Sequence, residues 1–165
     1  MVLAGLSNIT KGEEEMKKPI LVLSLVLLTT LLYTSSAFAH CEIPCGIYDD
    51  ELRAKQIAEH ATTIEKSMKQ IVALGKGSPV NYNQLVRWVS NKEDHATEVQ
   101  HIISQYFMTQ RIKPGQEKYT EKLTVLHKML LAAMKCKQTT DLSHVNQLRS
   151  LLKEFEILYF GHKLN

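Results

Sequence analysis

The sequence predicts an all-α protein, an up-down-up-down four-helix bundle preceded by a short non-helical hook. Three observations predict it. Apolar residues recur at three- and four-residue steps in four separate segments. The breaks between those segments are short, which makes neighbouring helices antiparallel. Aromatics at 7% and only 7 Gly in 165 residues leave little material for a strand-rich fold. At 44% hydrophobic and 22% charged, the chain has enough apolar mass for a core and too little charge for a disordered tail.

The first element in chain order is a leader, residues 1–39. From Met16 the chain reads Lys17, Lys18 and Pro19, then 13 apolar or hydroxyl residues (20–32), then a stretch ending Ala37-Phe38-Ala39. A basic start, a short apolar run and Ala-x-Ala make residues 16–39 a secretory signal peptide with cleavage after Ala39 by a signal-cleaving peptidase. A membrane anchor needs about 20 apolar residues, so the mature form is expected to carry no membrane span. His40 stands before Cys41 where a lipoprotein site would need a small residue, and twin arginines are absent; general secretion of the unfolded chain is expected. The destination is periplasmic or extracellular. Residues 1–15 supply nothing a leader requires. Lys11-Gly12-Glu13-Glu14-Glu15 matches what a purine-rich ribosome-binding stretch would encode, so Met16 reads as the true start.

The bundle occupies residues 49–165. In the first helix Ile57, Ala61, Ile64, Met68 and Ile71 share a face, and Gly75-Lys76-Gly77 closes it. Ser78-Pro79 offers the second helix an N-cap with proline at the first helical position. That helix carries Leu85, Trp88, Val89, Ala96, Val99, Ile103 and Phe107 inward and stops before Pro114-Gly115. The third covers residues 116–137 with Leu123, Leu126, Leu130, Ala133 and Met134 on one face. Thr140 or Asp141 caps the fourth, where Leu142, Val145, Leu148, Leu152, Phe155 and Leu158 align. Asp49-Asp50-Glu51 places favourable negative charge at the first helix's positive end.

Chemistry concentrates in residues 40–48, His40-Cys41-Glu42-Ile43-Pro44-Cys45-Gly46-Ile47-Tyr48. Pro44 and Gly46 forbid a helix there, so the segment is a hook. Cleavage after Ala39 makes His40 the free N-terminus, whose α-amine, with a reference pKa of about 7.7–8.0, readily yields its proton to a metal. The amine, the Cys41 amide nitrogen and the Cys41 thiolate can then wrap one ion in two adjoining five-membered rings. Cys45, brought back by Pro44, adds a second thiolate, and the His40 imidazole can reach an axial position. Such a planar two-nitrogen, two-sulfur set suits Ni(II) better than tetrahedral zinc, and Cu(II) would oxidise the thiolates. By spacing alone a Cys41–Cys45 disulfide is the competing reading in an oxidising compartment.

His40-Cys41-x-x-Pro44-Cys45-Gly46-x-Tyr48 at a processed N-terminus resembles the metal hook of nickel-containing superoxide dismutases. Ser104-Gln105-Tyr106-Phe107 is similar, more loosely, to a later Ser-x-Tyr-Phe stretch of that family. The resemblance implies a four-helix bundle, a nickel ion cofactor and superoxide as substrate, dismuted to dioxygen and hydrogen peroxide. It assigns His40, Cys41 and Cys45 to the metal and gives Tyr48 and Tyr106 places as catalytic residues lining the substrate pocket. It also implies a homo-oligomer, a hexamer in the family. The glutamate and arginine that hold the axial imidazole in the better-known branch of that family are not matched; Gln56 and Asn91 stand at the corresponding places, with Glu59, Arg87 and Lys92 nearby. The alternative function is an exported nickel- or copper-binding carrier using the same hook.

A net charge of +3 with scattered basic residues excludes nucleic acid as the expected partner. Three cysteines are too few for a disulfide scaffold, and Cys136 is expected to pack as a small apolar residue or to lie quietly at the surface. No pair among His60, His95, His101, His127, His144 and His162 stands out as ligands; His95 and His101, six apart, do not share a helix face.

Overall fold

The structure is a computed structural model that describes residues 22–24, 26 and 48–164. The chain divides into two compact units, Met1–Cys41 and Glu42–Asn165. In the first, residues 22–24 and 26 are helical. The cleavage position, the presumed start at Met16 and hook residues 40–47 lie outside the described residues. Among those described there is no strand, and no helix is long and apolar enough to cross a membrane.

The second unit is all-α. Helix α1 (Asp50–Gly75) starts at Asp49, whose carboxylate accepts from the Leu52 amide at 2.9 Å and satisfies one of the orphan donors of the first turn. Ile57, Ala61, Ile64 and Met68 of the predicted ladder are fully buried along one stripe together with Ala54, while Ile71 is only half-buried near the helix end.

Helix α2 (Tyr82–His101) begins three residues later than the Ser78-Pro79 cap predicts. Asn81 is the cap instead, its side-chain oxygen accepting from the Gln84 amide at 3.1 Å. An Asn side chain at that spacing captures a first-turn donor better than Ser78, which leaves Ser78-Pro79 in the connection. Burial on α2 is also narrower than predicted. Ala96 and Val99 are buried, Leu85 and Trp88 only half-buried, and Val89 exposed.

The same stretch then continues as a π-helix (Ile102–Arg111). Its hydrogen bonds run to the fifth residue back: the Ile112 amide to Phe107 O at 2.9 Å, and the Thr109 hydroxyl to Ser104 O at 2.7 Å. Helix α3 (Tyr119–Gln138) follows a turn in which Gly115 and Lys118 adopt positive φ of 84° and 54°. That turn consumes the residues from 116 onward that were predicted to open the helix. Helix α4 (Leu142–Phe160) is capped by Asp141, which accepts from the Ser143 amide at 2.8 Å, and ends on Gly161 at φ 82°.

Helix α1 packs on α2, α2 on α3, α3 on α4 and α4 back on α1, with α1–α2 and α3–α4 the most extensive contacts. The shared core joins Ile57, Ile64 and Met68 to Val99, Ile103, Phe107, Leu126, Met129, Val145, Leu148 and Phe155. Each such side chain removed from water stabilises the fold by about 1.5–3 kcal/mol before chain entropy is counted.

Candidate active site

Tyr48, the last residue of the predicted hook and its one described residue, lies where the start of α1 meets the π-helix. Its ring centroid is 6.0 Å from that of Tyr106, the two planes crossing at 64° in an edge-to-face pair. The Arg111 guanidinium stands over the Tyr48 ring at 4.2 Å, and that of Arg53 over the Tyr106 ring at 5.4 Å. Tyr48 keeps 43% of its surface exposed while Tyr106 is buried, so only the first ring is open to a solute.

Asp50, the first residue of α1, organises this corner. Its carboxylate accepts from the Tyr106 hydroxyl at 2.5 Å and the Tyr159 hydroxyl at 2.7 Å. Arg111 donates to Oδ2 through Nε at 3.1 Å and through Nη2 at 2.9 Å. Burial by itself would raise this carboxyl, but the hydrogen bonds from Tyr106, Tyr159 and Arg111 outweigh it and hold the group below the ordinary carboxylate range. The helix start adds positive partial charge at the same place. In return the phenols are hard to ionise. Burial first, then the bond to Asp50, pushes Tyr106 far above its ordinary value and Tyr159 up to about 12.

The π-helix explains how Tyr106 and Arg111 reach one carboxylate. Five residues apart on an α-helix, they would be about 140° apart around the axis. Bonding to the fifth residue back brings them to one face, which is how wide turns of this kind re-aim side chains at functional sites. Phe107, on the next position, faces the core against Phe155 at 4.8 Å and Tyr159 at 5.7 Å. Tyr159 thereby ties α4 to the same corner.

Of the residues singled out by sequence, the structure brings Tyr48 and Tyr106 together; His40, Cys41 and Cys45 lie outside the described residues. Gln56 accepts from Arg53 at 2.9 Å, and Asn91 donates to the Ser67 hydroxyl at 3.1 Å. Asp50, Arg111 and Tyr159 were missed as site residues, Asp50 having been read only as helix-start charge. Nothing in local spacing signals them, since Asp50 is 56, 61 and 109 positions from its three partners. The histidines also differ from expectation: His60 on α1 and His95 on α2 face each other, Nδ1 to Nδ1 at 2.7 Å. Cys136 is buried, and burial pushes its thiol up to about 11, which fits the small apolar role.

Residues 40–45 include one histidine and two cysteines, side chains whose imidazole and thiolate donors suit nickel. A family model described as nickel-containing superoxide dismutase matches residues 35–163. No curated protein and no solved structure matches the chain.

Proposed function

The chain belongs to the nickel-containing superoxide dismutase family, with nickel as its cofactor, and from that premise we propose that it dismutes superoxide at a processed N-terminal hook. His40, through its amine and imidazole, Cys41, through amide and thiolate, and Cys45, through its thiolate, would hold the ion. Bound there, nickel supplies one-electron cycling between Ni(II) and Ni(III), so that two superoxide ions and two protons become dioxygen and hydrogen peroxide.

The observation that carries this reading is the tyrosine corner next to the hook. Peptide geometry keeps the Cys45 Cα within about 11 Å of that of Tyr48, whatever path the three intervening bonds take. Tyr48 and Tyr106 then form one wall of the substrate space. The guanidinium groups of Arg111 and Arg53, stacked on the two rings, bring cationic charge to that wall, with Asp50 paired to Arg111 and Asp49 and Glu51 beside it. Tyr106 commits its proton to Asp50, so it serves as a fixed wall rather than a proton source. The exposed Tyr48 hydroxyl is the one placed to order incoming water or superoxide.

The closed cycle of helix contacts supports an up-down-up-down bundle following the hook. Tyr82, Val86 and Val89, at steps of four and three on α2, are exposed together with Val72 of α1. Such apolar exposure supports a homo-oligomer, a hexamer by family resemblance; sedimentation should show one, and a monodisperse monomer would refute it. Export by the leader and peptidase cleavage after Ala39 complete the proposal, nickel being loaded outside the cytoplasm because the amine ligand arises only on cleavage.

Cys41→Ser and Cys45→Ser should each eliminate nickel binding and dismutase activity together. Retention of a planar nickel spectrum in either variant would contradict the ligand assignment. Tight nickel binding by the unaltered mature chain without dismutation would favour the carrier reading.

A further inference from the structure

We propose that His60 and His95 form a second metal site, in which two imidazoles from α1 and α2 take one borderline divalent ion such as zinc. The site is built only from bundle residues, none of which belongs to the hook.

The two Nδ1 atoms are 2.7 Å apart, with ring centroids 5.0 Å apart and planes tilted by 55°. Without an ion this is a hydrogen bond, one ring donating its Nδ1 proton to the lone pair of the other. The α1–α2 packing that holds the rings is among the most extensive in the molecule, so the two nitrogens converge before any ligand arrives. Both residues are half-buried, which leaves a path for a hydrated ion.

The electrostatics favour a dication over a proton. Burial first, then the facing His95, holds His60 below its ordinary value and keeps its ring in the neutral, ligating form. Glu98 and Glu59 act on His60 in the opposite sense. Their negative charge is too weak to protonate the ring but attracts a divalent cation. Glu98 also follows His95 by three residues on α2 and so shares its face.

Geometry sets the mode of binding. Tetrahedral zinc at about 2.0–2.1 Å from each nitrogen needs them about 3.3 Å apart. Small side-chain rotations therefore part the rings by about 0.6 Å. The Nδ1 proton moves to Nε2 of the same ring, so neutral imidazoles release no net proton. Among the described residues no three His, Cys, Asp or Glu are already set for an ion. Water and a reoriented Glu98 complete the shell, and the ion is exchangeable rather than structural.

The test uses the nickel-loaded protein, whose hook is already occupied, with zinc as the probe. Equilibrium dialysis with metal analysis should find one further zinc per chain, and the unfolding temperature should rise by several degrees as zinc saturates. His60→Gln and His95→Gln should each abolish that increment while leaving helicity, nickel content and dismutase activity unchanged. His144→Gln, on α4, should leave the increment intact. Extra zinc that persists in both His60→Gln and His95→Gln, or no further zinc bound at all, overturns the proposal and leaves the pair a hydrogen bond only.

Discussion

Asp50 is the residue on which most of the candidate site depends. A carboxylate accepting from two phenols and a guanidinium is worth far more than one paired with solvent, because each donor would otherwise be left partly buried and unsatisfied. Asp50→Asn should lower stability by about 1.5–3 kcal/mol near neutral pH. Its folded-state pKa is depressed, so this contribution is fully present above the unfolded carboxyl value, near 3.8, and is lost as pH falls through the folded value. The variant and the parent should therefore converge in acid. Ultraviolet titration supplies a second readout: Tyr106 and Tyr159 should ionise earlier in Asp50→Asn. Parallel stability curves down to low pH, or unchanged phenol titration, would remove Asp50 from this role. None of this was legible in the sequence, where Asp50 looks like ordinary helix-start charge. Tyr48 and Tyr106 were legible only through resemblance, since a tyrosine after a hook and another on a helix are otherwise packing residues.

At the scale of elements, the apolar ladder of α1 was readable because its period is local and its burial one-sided. Ile57, Ala61, Ile64 and Met68 all lie in the core. The change from α to π at Ile102 was not readable, because Tyr106 and Arg111 are pulled to Asp50 by tertiary bonds that no periodicity encodes. Lys92 shows a similar limit. On an apolar stripe it looks like an interruption, yet it is buried and its ammonium donates to Cys136 O at 2.9 Å and to Lys137 O, closing the last turn of α3 from outside. Cations favour that end of a helix. Lys92→Met keeps the stem and removes the donor, and should cost about 2–3 kcal/mol in denaturant unfolding. A neutral effect would mean that solvent satisfies those carbonyls equally well.

At the scale of the molecule, the described residues 48–164 form a helical scaffold, and the proposed metal ligands lie before it in the sequence. The scaffold's element order followed from periodicity and short connections, while the proposed ligand role of His40, Cys41 and Cys45 rests on their lying within six positions of one another. Tyr48 is three residues past Cys45 in sequence and packs under Arg111. In the proposed site His40 must be the first residue for the metal to bind. Nickel per chain, measured on protein beginning at His40 and on protein carrying one added alanine before it, tests this most directly. The first should hold one nickel per chain with full dismutase activity and the second neither, because the added residue removes the amine ligand. An extended chain that holds its nickel and remains active would contradict that requirement.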